Sequence, residues 1–219
     1  MGKVKIKKQS IWIDMTPMSD VMVLLLTFFM LTSTFIKNEA VKVITPGAVS
    51  EEKVPEGDVL TILIEKGGKV FVGMDKPADM RGMVEKFAQK EGIKLNDAQL
   101  HTSQAATNIG VPANKLSELL SQEENALNKY QEKLGIPVDS AKIETKDNEL
   151  QKWVEAAKAW NKEKYQDKSD DEKKEGRMKI AIKADSDTPY SDIKNVMASL
   201  QRIKQNRYFL ITSYKKVEE

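Results

Sequence analysis

Between Thr16 and Phe35 the chain reads TPMSDVMVLLLTFFMLTSTF, and its apolar positions form no stripe: Val21 to Met30 is apolar on every side of a helix. Such a helix must be covered around its whole circumference. Residues 15–36 are therefore predicted to form a single membrane span, preceded by a basic segment over 1–14. Two rival readings are weaker. A cleaved signal peptide would have no acid within its apolar run and would end on an A-x-A site, and a buried helix of a soluble core would be striped.

Downstream the pattern changes. Residues 37–58, with Pro46, Pro55, Gly47 and Gly57 among mixed charges, read as a linker. DVLTILIEKGGKVFVG, residues 58–73, is two β-rich runs about Gly67 and Gly68 and predicts a hairpin. Met80, Met83, Val84 and Phe87 recur at helical spacing, Ile180 and Ile182 alternate with lysines as in a strand, and Ile193, Val196, Met197, Leu200 and Ile203 mark a second helix. Thr188 and Pro189 are its expected cap and first residue, and RYFLITSY, 207–214, is expected to close as one strand. The order ββα, insert, βαβ predicts a small α+β domain over 59–219 with helices on one sheet face.

The insert, about 93–176, reads as a helical elaboration. Leu116, Leu119, Leu120, Leu127 and Leu134 share a broad face ending at Gly135, and Trp153, Val154, Ala157 and Trp160 group together. The Trp pair fits core first and a partner-docking patch second. Residues 167–176, DKSDDEKKEG, read as a solvated return loop. Met80, Met83 and Met197 are core side chains in this reading, not a metal-binding set.

Composition narrows the function classes. With 35 basic against 33 acidic residues the net charge is +2, which argues against a nucleic-acid binder driven by counterion release. Cysteine is absent, which excludes thiol nucleophiles, disulfides and thiolate metal sites. His101, the single histidine, has no partner at metal spacing, and no phosphate-binding loop, H-E-x-x-H or serine elbow occurs, so neither a metal nor an enzymatic activity is expected. The charge asymmetry is local: Lys3, Lys5, Lys7 and Lys8 precede the span, whereas Glu39, Glu51 and Glu52 dilute the lysines after it. This places the N-terminus in the cytoplasm, with Trp12 as an interfacial anchor and Asp14 solvated near the interface.

Asp20 is the anomaly. An aspartate at the centre of a span costs about 2.5 to 3.5 kcal/mol to insert, so it marks a functional site facing protein or water. In a poorly solvating setting a carboxyl group favours its neutral form and becomes able to gain and lose a proton. At 100° per residue, Thr16, Asp20, Thr27 and Thr34 fall within about 40° of one another, one polar stripe along the helix. Threonines in such a stripe serve helix packing first. Pro17 starts the helix. A single carboxylate cannot line a pathway, so partner helices are implied.

The run IDMTPMSDVMVLLLTFFMLTS, 13–33, resembles the N-terminal span of the ExbD/TolR biopolymer-transport family in Thr16, Pro17, Asp20, Val21, Leu24, Leu25, Phe28, Phe29 and Met30. Ser19 and Thr27 stand where that family usually has apolar residues. Asp185, Pro189 and Tyr190 in IKADSDTPYSDIKNVMASLQ resemble its second signature, with Asp185 read as a turn-capping carboxylate. The resemblance implies that Asp20 carries protons, the only coupling ion, with no cofactor. It implies a homodimer of spans inside a ring of an ExbB- or TolQ-like polytopic partner, driving a TonB- or TolA-like protein. The expected place is a bacterial inner membrane with the α+β domain in the periplasm. The alternative is a TolR-like tethered module gripping cell wall or envelope proteins.

Overall fold

The computed structural model describes residues 15–33, 40–48, 57–138, 148–166 and 176–214. The chain divides into two compact units, residues 1–37 and 38–219. The first contains α1, Thr16–Thr32, with Pro17 in its opening turn, where a missing N–H leaves no bond unmade. None of its residues is buried. Among the described residues no helix is long and apolar enough to cross a membrane: at 1.5 Å per residue the 17 residues of α1 make about 26 Å, against a hydrocarbon core of about 30 Å. Lys3, Lys5, Lys7, Lys8, Trp12, Asp14, Thr34, residues 35–36 and the loop 167–175 lie outside the described residues.

The second unit is a mixed α+β domain. After β1, Gly47–Ala48, strands β2, Val59–Ile64, and β3, Val70–Met74, form the expected antiparallel hairpin. Its turn relies on Gly68 at φ +76°, in the left-handed region that glycine enters without steric cost. Next come α2, Pro77–Glu91, and the helices of the insert: α3, Asp97–Ala105; α4, Leu116–Leu120; α5, Glu124–Gln131; and α6, Glu149–Lys164. β4, Lys179–Ala184, then α7, Tyr190–Arg202, β5, Phe209–Leu210, and β6, Ser213–Tyr214, complete the chain. The main sheet runs β3-β2-β4-β5, with β4 parallel to both β2 and β5.

Alternation along the strands sorts the two faces. Leu60, Ile62 and Ile64 stand in register with Met74, Val72 and Val70 on one side and Ile180, Ile182 and Ala184 on the other. These residues share one core with Met80, Met83, Val84 and Phe87 of α2, Trp153 and Val154 of α6, and Val196 and Leu200 of α7, so the helices gather on this face. Leu63 and Phe71 point the other way and are covered by Val41. The Trp153 ring, fully buried, stacks on Phe87 at 3.7 Å between centroids and 6° between planes. Truncating a buried tryptophan of this kind to alanine costs about 3 to 5 kcal/mol.

Four expectations change. The insert is part of the main core, because α6 lies along α2 and supplies Leu150, Trp153, Val154 and Ala157 to it. It also shields the sheet edge: Ile109 and Ile136 bridge to Val72 and Val70, satisfying β3 where an open edge would invite association. Residues 114–135, read as one leucine face, break after Ser121 into α4 and α5, which brings Leu116, Leu119, Leu120 and Leu127 together into the core. The C-terminal run 207–214 is split, with β5 on β4 and β6 paired to β1. Residues 40–48, read as linker, are therefore tied to the domain through that pair and through Val41.

Candidate functional site

α1 places Thr16, Asp20 and Thr27 of the stripe on an exposed helix. The Thr27 hydroxyl donates to the Leu24 carbonyl at 2.9 Å, Ser19 to Met15 at 3.1 Å and Thr32 to Phe28 at 2.8 Å. These hydroxyls are absorbed by their own helix, which removes a polar burden from an apolar surface. Among the described residues, nothing hydrogen-bonds or ion-pairs with the carboxylate of Asp20, which is exposed. Met18, Val21, Met22, Leu24, Leu25, Phe28 and Phe29 are all exposed around it. α1 thus offers one ionisable group on an apolar cylinder with no protein cover among the described residues.

The second signature is structural in its contacts. Asp185, just past β4, accepts the Ile44 amide on Oδ2 and the Asp187 amide on Oδ1, each at 3.0 Å. Those two amides, Asp187 first and Ile44 second, hold its carboxyl below the usual carboxylate range. Asp185 thereby ties the chain at Ile44 to the end of the sheet. The helix start differs by one residue from expectation. Pro189 is the N-cap of α7, and the Thr188 amide is drawn back to the Asp185 carbonyl at 3.1 Å, so the Thr188 hydroxyl caps nothing and is buried without a hydrogen-bond partner among the described residues. Tyr190, the first residue of α7, is exposed. His101 lies exposed on α3, and no group of described acids and histidines could hold a metal ion.

A buried charge cluster went unforeseen. Lys164, at the last turn of α6, reaches Asp58 Oδ1 at 2.6 Å and Asp79 Oδ2 at 2.9 Å. The Tyr165 hydroxyl donates to the other oxygen of Asp58, and Trp160 Nε1 donates to Asp79 Oδ1 at 3.1 Å. Burial pushes the Asp58 carboxyl up, but the Lys164 and Tyr165 hydrogen bonds and the charges of Lys164 and Lys76 outweigh it and leave it below the usual range. Burial likewise works against the Lys164 ammonium, and the two aspartates outweigh it and raise it. The cluster ties α6 to α2 and to the start of β2. Residues 58, 79 and 164 are far apart in the chain, and nothing in their local pattern pairs them. One element of the insert carries a legible local signal. Asn96 and Gln99 have capping-box spacing, and the Gln99 side chain accepts the Asn96 amide at 2.9 Å at the start of α3.

The chain thus joins an exposed apolar helix with a lone carboxylate to a small mixed-sheet domain. The family model described as biopolymer transport protein ExbD/TolR matches residues 7–214, nearly the whole chain, and the chain belongs to that family. It is a member of a biopolymer-transport, energy-transducing family. No curated protein and no solved structure matches it.

Proposed function

We propose that the chain is the proton-carrying, single-span subunit of an inner-membrane motor of the ExbB–ExbD–TonB type, with Asp20 as the proton carrier. The observation that carries this reading is Asp20 itself, a lone carboxylate on a helix whose apolar side chains are all exposed and without cover among the described residues. Such a group in a hydrocarbon setting has a functional role by default, because packing does not require ionisation. The crossing rests on the sequence, which stays uncharged past Thr32 through Ser33 and Thr34 to the apolar Phe35 and Ile36. Lysines ahead of the run put the N-terminus in the cytoplasm and the α+β domain in the periplasm.

One carboxylate needs facing helices, supplied by a second copy and by a ring of an ExbB- or TolQ-like partner. A proton crossing a potential of about 100 mV releases about 2.3 kcal/mol, enough to bias a conformational step passed to a TonB- or TolA-like protein. Neutral Asp20 passes an apolar contact and ionised Asp20 seeks a polar one; alternation between the two is the stroke. Asp20→Asn keeps shape and hydrogen bonding but removes titration. The variant should assemble fully with its partners and lose proton-dependent envelope uptake. Undiminished uptake would instead assign the chain to the tethered, TolR-like class, in which Asp20 only specifies helix association.

A further inference from the structure

The domain contains an open cleft of about 690 Å³ with α6 along one wall. Its lining combines Ala159, Met178 and Tyr165 with the cations Lys158, Lys162 and Arg177. None of these three cations has an acidic partner among the described residues, while Glu155, the acid of the lining, is taken by Lys90. Among the described residues the lining is net positive, three cations against one paired acid.

The cleft is built into the fold. The Asn161 side chain donates to the Gly176 carbonyl at 3.0 Å and accepts the Met178 amide at 3.2 Å, clasping the approach to β4 against α6. The Tyr165 hydroxyl is held by Asp58, and a Cβ on Gly176 would meet the Tyr165 ring at 2.2 Å, so the two walls touch only because residue 176 has no side chain. Walls fixed in advance reduce the ordering that a ligand must impose.

We propose that this cleft docks an acidic peptide segment of a partner protein, with apolar side chains against Ala159, Met178 and Tyr165 and carboxylates against Lys158, Lys162 and Arg177. Along α6 the lining runs from Glu155 to Lys162, about 10 Å at helical rise, which is the reach of about three extended residues. That length and openness suit an extended chain better than a compact small anion, and a flat bilayer cannot enter a cleft.

The test uses the full chain in nanodiscs of neutral lipid and a fluorescein-labelled hexapeptide of alternating glutamate and leucine, followed by anisotropy. Saturable one-to-one binding is expected, weakening as salt rises. A peptide with glutamine for glutamate should not bind. Lys162→Glu with Arg177→Glu should weaken binding about tenfold, and the milder Lys162→Ala with Arg177→Ala about threefold, both with unchanged thermal midpoints. Equal affinity in the reversed-charge variant, or no saturable binding, overturns the proposal. So does displacement of the peptide by phosphatidylglycerol vesicles at matched charge, which would give the cations to a membrane surface. Self-association abolished by the same variants, with no peptide binding, would give the cleft to a second copy and equally overturn it.

Discussion

Lys164→Met removes one charge from the buried cluster and leaves two carboxylates facing the space it occupied. The Asp79 side chain is 4% exposed, Asp58 9% and Lys164 22%, so water replaces little of what is lost. Breaking a buried pair from one side costs about 3 to 5 kcal/mol, because the remaining charge stays desolvated. Here Asp58 keeps the Tyr165 hydroxyl and Lys76 at 3.8 Å, and Asp79 keeps Trp160, which puts the loss near the lower end, about 3 kcal/mol. For a domain of this size that is a fall of about 6 to 12 °C in Tm. Urea unfolding of the full chain, followed by tryptophan fluorescence, reads the same quantity as a shift in midpoint. Adding Asp58→Asn and Asp79→Asn to Lys164→Met should recover much of the stability, since no uncompensated charge then remains. A loss below about 1 kcal/mol for Lys164→Met would place the cluster with ordinary surface pairs and refute the reasoning.

The pH dependence has two limbs. Asp58 is held below its ordinary value, so its contribution is present above the unfolded carboxylate value of about 3.9 and fades as pH falls through the lower folded one. Lys164 is raised, so its contribution is present below about 10.4 and fades as pH rises through the higher folded one. Between these limits stability from the cluster should be flat, and Lys164→Met should remove the lysine part of the alkaline limb, leaving the part from the Tyr165 hydroxyl, which its hydrogen bond to Asp58 also raises.

Gly82→Ala should destabilise the domain by about 1 to 3 kcal/mol in thermal unfolding, although alanine favours a helix interior, because its Cβ would sit 2.1 Å from the Trp160 ring. A rise in Tm would show that α2 and α6 can part without cost. Asp185→Ala should loosen the chain locally at Ile44 while the β1–β6 pair and Val41 still hold residues 40–48, read as faster hydrogen exchange at the Ile44 and Asp187 amides. Wild-type protection at those amides should also decline as pH falls through the depressed value of Asp185, and unchanged exchange in the variant would deny the carboxylate its pinning role.

Much of the domain was legible because local pattern and tertiary role agree. The hairpin, α2, β4 and α7 each show their own period, and the helices lie on the sheet face that alternation marks as apolar. Trp153 met the reading of core over docking patch, while Trp160 is half-buried and spends its N–H on Asp79. The insert's role was illegible for a physical reason. Its helices are amphipathic like any surface elaboration, and periodicity says which face is buried but not against what.

The primary structure alone determined the properties that belong to one segment at a time: a helix apolar all round, a solitary aspartate at a fixed offset from Thr16-Pro17, and the strand and helix periods of the domain. Those follow from covalent neighbours and helix geometry, and they suffice for the family. Tertiary structure alone decided that α6 belongs to the main core, that Lys164 bridges Asp58 and Asp79, and that three cations surround one cleft. These are meetings between residues far apart in the chain, set by which apolar faces bury each other, and a charge gains or loses its meaning only once that burial has removed the water around it.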